Sequence, residues 1–191
     1  LPEDAPKRQN AQRYVRILRD ECQRDIDLID DMLTLSRLDA AVEPLMLSAV
    51  HLQDWIPAIA DAFVDRMQSR QQTLLVTVPL SIPACTTDLS YLERILTELL
   101  TNACKYTPAH ETVAIAATAT PHHVTVTVSN TGSHIPAVEC DRIFETFYRI
   151  PNHDPWKHGG TGIGLALVKK LTAQIGGTIV STAICTSPPL P

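Results

Sequence analysis

The stretch Glu98-Leu99-Leu100-Thr101-Asn102-Ala103-Cys104-Lys105-Tyr106-Thr107 decides how the rest of the chain is read. It ends a run from Asp88 to Tyr106 that holds neither Pro nor Gly, with Pro108 just beyond. Its apolar spacing predicts a helix, with Asp88 or Thr87 as the N-cap. Leu92, Leu96, Leu99, Leu100 and Ala103 fall on one side, which must face a core. Glu98, Asn102, Lys105 and Tyr106 share the opposite side, because residues three and four apart are neighbours on a helix. A carboxylate, an amide oxygen and an ammonium on one stripe offer a base, a hard-cation ligand and a phosphate contact. A solvated helix face shows the same pattern, so the stripe alone leaves both readings open.

Further along, His158-Gly159-Gly160-Thr161-Gly162-Ile163-Gly164-Leu165 leads into a last helix, expected from about Ile163 to Ile175. Glycines let a backbone come close to a ligand, and the amides of a helix N-terminus favour an anion such as phosphate. The segment lacks the Gly-Lys-Ser/Thr ending of a Walker loop, and no strand runs directly into it, so a dinucleotide fingerprint fits poorly. A plain glycine linker would leave unexplained why a strong helix starts at once. Between these segments, Val124, Val126 and Val128 alternate with polar residues, and Asn130 continues their parity just before Thr131-Gly132. A polar side chain at the end of a core face needs partners, which an adenine edge could supply. The alternative is an Asn capping the turn at Gly132.

Working outward, Asn10 to Ala40 predicts one long helix. Val15, Leu18, Cys22, Ile26, Ile29 and Leu33 form its seam, widened by Leu28, Met32 and Leu35. Pro44 marks a break, which divides the chain into residues 1–43 and 44–191. His51 to Met67 predicts a second amphipathic helix, and Leu74 to Val78 a strand. Thr112–Thr120 and His123–Ser129 read as adjacent strands, Val138–Phe144 as a short helix, and Thr178–Ile184 as a last strand after Gly176-Gly177. Helices and strands mix without a regular βαβ alternation. The expected fold is α+β, a mostly antiparallel or mixed sheet with helices on one face, and the first helix outside it.

The bulk composition excludes several classes. Hydrophobic residues make up 45% of the 191, enough for a core, and charged residues 19% without long runs. A net charge of -5 and no basic patch argue against nucleic acid. No apolar stretch reaches the roughly 18 residues that cross a bilayer, so no membrane contact is expected. The five cysteines form no CxxC pair and read as free thiols in a reducing cytoplasm. The start at Leu1 suggests a piece of something longer.

Taken together, four segments resemble the ATP-binding catalytic domain of sensor histidine kinases. Glu98 to Thr107 resembles the N box, Asn130-Thr131-Gly132-Ser133-His134-Ile135-Pro136 the G1 box, Ile143-Phe144-Glu145-Thr146-Phe147-Tyr148-Arg149 the F box, and Gly160-Thr161-Gly162-Ile163-Gly164-Leu165 the G2 box. They occur in the family's order with suitable gaps, and the resemblance runs from about Asn10 to Ile184. It implies the Bergerat α/β sandwich shared by gyrase, Hsp90, MutL and histidine kinases, with ATP and Mg²⁺ as ligands. By the same resemblance Asn102 holds Mg²⁺, and Glu98 acts as a base or polarises the acceptor and can share the metal. Lys105 touches phosphate or ribose, Tyr106 lies against the nucleotide, and Asn130 replaces the adenine-reading Asp. Phe144 and Phe147 anchor a lid between Pro136 and Gly159, from which Arg149 reaches the terminal phosphate. The backbone from Gly160 through Thr161, Gly162, Ile163 and Gly164 to Leu165 cradles the phosphates.

The long helix, ending Leu33-Thr34-Leu35-Ser36-Arg37-Leu38, resembles the second helix of the family's dimerisation hairpin. That implies a homodimer in the parent protein and a response regulator as the next partner. None of the seven histidines stands in an acceptor-like context. His134 replaces the second G1 glycine and can sit over ribose or phosphates. After Gly176-Gly177 the chain runs into prolines instead of a Gly-x-Gly-Thr turn, so the sheet is expected to lose its last strand. A degenerate nucleotide-sensing or interaction module is the competing reading, favoured by these substitutions and opposed by Glu98, Asn102, Lys105 and the glycines. Another ATPase of this fold, or an anti-sigma-type serine kinase, fits the F box and the preceding helix less well.

Overall fold

A computed structural model describes residues 5–40, 44–150 and 160–182 of the chain. The order of elements is α1 (Ala5–Asp39), β1 (Leu47–Val50), α2 (Leu52–Ser69), β2 (Thr73–Thr77), β3 (Cys85–Asp88), α3 (Leu89–Tyr106), β4 (Thr112–Ala119), β5 (Val124–Asn130) and α4 (Gly164–Gln174). β2 pairs with β4 in parallel, and β5 pairs with β4 antiparallel, giving a mixed sheet in the order β2-β4-β5. β1 and β3 form a separate antiparallel pair, Leu47 opposite Asp88 and Val50 opposite Cys85.

The helices lie on one face of the larger sheet. Val113, Ile115 and Ala117 of β4 are buried against Leu96, Leu100, Ala103 and Cys104 of α3 and Leu52, Ile56, Phe63 and Met67 of α2. Val124, Val126 and Val128 of β5 pack on the same core, while Thr125, Thr127 and Ser129 face solvent. A sheet with one wet face produces this alternation, so the expected α+β two-layer arrangement is what forms.

A second core joins the helices. Leu35 and Leu38 of α1 are buried with Ile95 of α3 and with Ile163, Leu167, Val168 and Leu171 at α4. Lys170 pairs with Asp39, and Gln174 Nε2 donates to the Leu38 carbonyl at 3.4 Å. The long helix precedes the sheet-and-helix layer as expected, but its last turns pack against α3 and α4. The face it buries is Leu28, Asp31, Leu35 and Leu38, whereas Val15, Leu18, Cys22, Ile26, Ile29 and Leu33, the seam expected from periodicity, stay exposed. Two apolar stripes run along α1, and only a neighbour decides which of them is covered.

Three other expectations change. Val138–Phe144 is not one helix but two 3₁₀ turns, Ala137–Glu139 and Arg142–Phe144. Residues 178–182 form no strand, and 183–184 lie outside the described residues. Val180 is exposed there; β propensity supplies no ladder, and a strand needs a paired neighbour. The pair β1 and β3 escaped sequence reading because Leu47–Val50 and Cys85–Asp88 are short, and the second is polar after Cys85. Among the described residues no helix is long and apolar enough to cross a membrane.

Asp88 is the joint between the small sheet and α3. Its Oδ1 accepts from the Ser90 amide at 3.0 Å, the Tyr91 amide at 3.2 Å and the Ser90 hydroxyl at 2.6 Å, and its Oδ2 from the Met46 amide at 2.8 Å. It satisfies helix-end donors that otherwise lack partners and holds the start of β1 against the start of α3.

Candidate functional site

The polar side of α3 is not a solvated face. Glu98, Asn102, Lys105 and Tyr106 are all half-buried, and the glycine segment before α4 lies against two of them. A β-carbon on Gly160 would come within 2.5 Å of Lys105 Nζ, and one on Gly164 within 2.6 Å of Glu98 Oε2. Two segments roughly sixty residues apart thus meet, and they meet where the chain has no side chain. Asn102 lies one helical turn beyond Glu98 on the same stripe. The Lys105 ammonium sits 4.9 Å from the centre of the Tyr106 ring. Tyr106 also lines an open hollow with Arg70, Gln72, Thr107, Pro108 and Ala109, a lining that among the described residues includes none of 160–165.

The glycine segment is shaped by its own backbone. Gly162 has φ +72°, a left-handed conformation in which a β-carbon would meet the Phe147 carbonyl carbon at 2.8 Å. The Phe147 amide donates to the Gly162 carbonyl at 2.9 Å, and Phe147 itself has φ +65°. The Phe144–Phe147 segment is thereby fixed to the loop. Phe144 is half-buried, with Lys169 Nζ 5.9 Å from its ring centre. The Thr161 hydroxyl accepts from the Ile163 amide at 3.3 Å. The Ile163 side chain is fully buried in the second core, so what Ile163 offers a ligand is backbone. Among the described residues no side chain caps α4, and a helix N-terminus left uncapped favours an anion.

Asn130 ends β5 opposite Val113, half-buried on the same face as Val124, Val126 and Val128. Gly132 follows with φ +71°, where a β-carbon would meet Glu111 Cγ at 2.6 Å and Pro108 Cδ at 3.0 Å. The Thr131 hydroxyl bonds the Glu111 carboxylate and accepts from the Thr112 amide at 3.0 Å. Asn130–Gly132 is therefore drawn to the chain just after α3. Arg149 and His134 are exposed. Gly159, His153, His158 and the rest of 151–159 lie outside the described residues.

Sequence reasoning passed over Arg94. Its Nη2 bonds Asp31 Oδ1 of α1 and lies 3.2 Å from Glu98 Oε1. Its place four residues before Glu98 was a readable signal, but the reach to α1 was not. Burial is the main cause that pushes the Glu98 carboxyl above its ordinary range; Arg94 pulls it back, and Asp31 and Asp27 add to the rise. Burial raises Asp31 as well, again opposed by Arg94.

The donor set fits a nucleotide with a hard cation. The glycines let the Lys105 ammonium and the Glu98 carboxylate come up against the backbone before α4, and the Asn102 amide stands one turn from that carboxylate on α3. Residues 87–189, more than half of the chain, match the family described as Histidine kinase-, DNA gyrase B-, and HSP90-like ATPase. The chain belongs to that ATPase family. Among the similar proteins are sensor protein kinases and histidine kinases. The sensor protein kinase WalK of Staphylococcus saprophyticus is 28% identical over 176 residues, which is 91% of this chain and 28% of that protein. The chain thus spans under a third of that relative's length. ShkA, in its full-length crystal structure with AMPPNP, superposes with a TM-score of 0.76 at 29% identity, over 88% of this chain and 35% of ShkA. The Acinetobacter baumannii histidine kinase AdeS shares the fold at a TM-score of 0.71 and 20% identity, over 86% of this chain and 74% of that one.

Proposed function

We propose that this chain is the ATP- and Mg²⁺-binding catalytic part of a two-component sensor histidine kinase. It directs the γ-phosphoryl group of ATP to a histidine other than its own seven. Residues 44–191 form the ATP-binding domain, and residues 1–43 the second helix of a dimerisation hairpin. A homodimer through that helix and a response regulator follow as partners in the parent protein, which works in the cytoplasm. The single observation that carries this reading is the contact of Gly160 with Lys105 and of Gly164 with Glu98.

When bound, Mg²⁺ neutralises phosphate charge, which phosphoryl transfer requires more than covalent help. Asn102 and Glu98 would hold the ion through their oxygens. Lys105 and the amides from Gly160 to Leu165 would hold the phosphates. Asn130 would accept from the adenine amino group, next to the turn that Gly132 makes, and Tyr106 would lie against the nucleotide. Phe144 anchors the lid, and Arg149 would meet the terminal phosphate. Glu98 would orient the acceptor; a carboxylate beside a basic side chain, shielded from water, suits that role.

The test is a calorimetric titration with ATP, with and without Mg²⁺, beside Asn102→Ala. Saturable, Mg²⁺-dependent binding that weakens in the variant is expected; no binding at about millimolar ATP would sink the reading. A nucleotide-sensing module without phosphoryl transfer is the second reading, favoured by the absence of a strand at 178–182.

A further inference from the structure

One guanidinium nitrogen is shared by two carboxylates from different elements. Arg94 Nη2 bonds Asp31 of α1 and also lies 3.2 Å from Glu98 one turn further along α3. The side chains of Asp31 and Glu98 are 10% and 19% exposed, that of Arg94 39%. Asp31 is the polar member of the face α1 buries, set among Leu28, Leu35 and Leu38. A carboxylate placed there costs stability unless a cation meets it, and Arg94 is the cation that does. Asp27 and Asp30 bring further negative charge to the same side of α1. On its other side Glu98 touches Gly164. Glu98 therefore stands between the glycine segment and an arginine that α1 also claims.

We infer that Arg94 is a positioning residue that couples the docking of α1 to the state of Glu98, because Asp31 and Glu98 draw on one guanidinium nitrogen and repel each other across it. Whatever draws the Glu98 carboxylate away from Arg94 leaves Nη2 to Asp31 and tightens Leu28–Leu38 against α3 and α4. Loosening α1 gives Nη2 to Glu98 and ties that carboxylate up. Linkage makes the two effects equal. The nucleotide arm of this inference rests on the proposed site; the helix arm does not.

The helix arm comes first and uses the full chain without nucleotide. Hydrogen exchange is followed across residues 25–39 in wild type, Glu98→Gln, Arg94→Gln, Arg94→Lys and the double variant Glu98→Gln/Arg94→Gln. Glu98→Gln is expected to slow exchange in α1 about threefold, the scale of a partly exposed ion pair. The slowing disappears when Arg94 is Gln and returns in the further double variant Glu98→Gln/Arg94→Lys. Equal slowing with and without Arg94, or none in Glu98→Gln, overturns the inference. Should Arg94→Gln not fold, Asp31→Asn replaces it: Glu98→Gln must then leave α1 exchange unchanged. In the nucleotide arm, ATP with Mg²⁺ slows α1 exchange in wild type, and Asp31→Asn weakens Mg²⁺-dependent binding about threefold. Binding without any change in α1 also overturns the coupling. Absence of binding in wild type removes the nucleotide reading and leaves the helix arm to decide.

Discussion

Gly164 is pressed against Glu98: a β-carbon on the first residue of α4 would lie 2.6 Å from the Glu98 carboxylate. The obstructing atom is the end of a flexible side chain, so an added methyl moves Glu98 rather than the helix.

Gly164→Ala is accordingly expected to separate stability from binding. Alanine is the better helix former by about 1 kcal/mol, so the denaturation midpoint holds or rises. Binding of ATP with Mg²⁺ weakens by about tenfold, or ~1.4 kcal/mol. A variant that binds as wild type does would mean that Glu98 has no part in the site.

Gly162→Ala meets backbone instead. Its φ of +72° and the 2.8 Å approach to the Phe147 carbonyl carbon cannot both be relieved by a side-chain rotation. A loss of about 2 kcal/mol is expected in urea unfolding, together with weaker nucleotide binding as the Phe147 amide loses the Gly162 carbonyl. Full stability in this variant would contradict the loop conformation.

Glu98→Gln stabilises the fold above the acid range. The folded carboxyl titrates above its ordinary 4.5, chiefly because burial disfavours the charge. A folded state that binds the proton more tightly loses stability as pH rises from the unfolded value through the folded one. Removing the charge should raise the melting temperature near neutral pH by on the order of 2 °C. The gain should shrink to nothing once the pH falls below 4.5. A gain that persists in acid would point to another cause.

Asp88 has the opposite sign. The Ser90 hydroxyl first, then the Met46, Tyr91 and Ser90 amides, hold its carboxyl below the ordinary 3.8, against the effect of burial. Its stabilisation is present above that value and is lost as pH falls through the lower folded value. Asp88→Ala should cost about 2 kcal/mol near neutrality, and the gap to wild type should narrow in strong acid. Equal stability of the two at neutral pH would refute the capping role.

Much of the fold could be read before any coordinates. α2, α3, β2, β4, β5 and α4 fall within a few residues of where periodicity and punctuation put them, because each has an apolar face of its own. Asn130 lies on the valine face of β5, as parity required. The β1–β3 pair and residues 178–182 could not be read: in short segments pairing decides, and pairing is a property of two segments. The candidate site was half legible. Glu98, Asn102, Lys105 and the glycines announce themselves by type and spacing, whereas Arg94 looks like one more surface charge until α1 supplies Asp31.

The sequence by itself determined which residues can form helices and strands, which faces are apolar, and which residue types could meet a phosphate and a hard cation. These are local properties, set by backbone sterics and side-chain chemistry within a turn or two. Only the tertiary structure decided that Gly160 and Gly164 lie against Lys105 and Glu98, that α1 buries its Leu28–Leu38 face rather than its longer seam, and that one arginine serves two carboxylates. Those that bond α1 to α3 and α4 join residues from 63 to 136 positions apart. They exist because burying the shared core among α1, α3 and α4 outweighs the entropy of closing those loops.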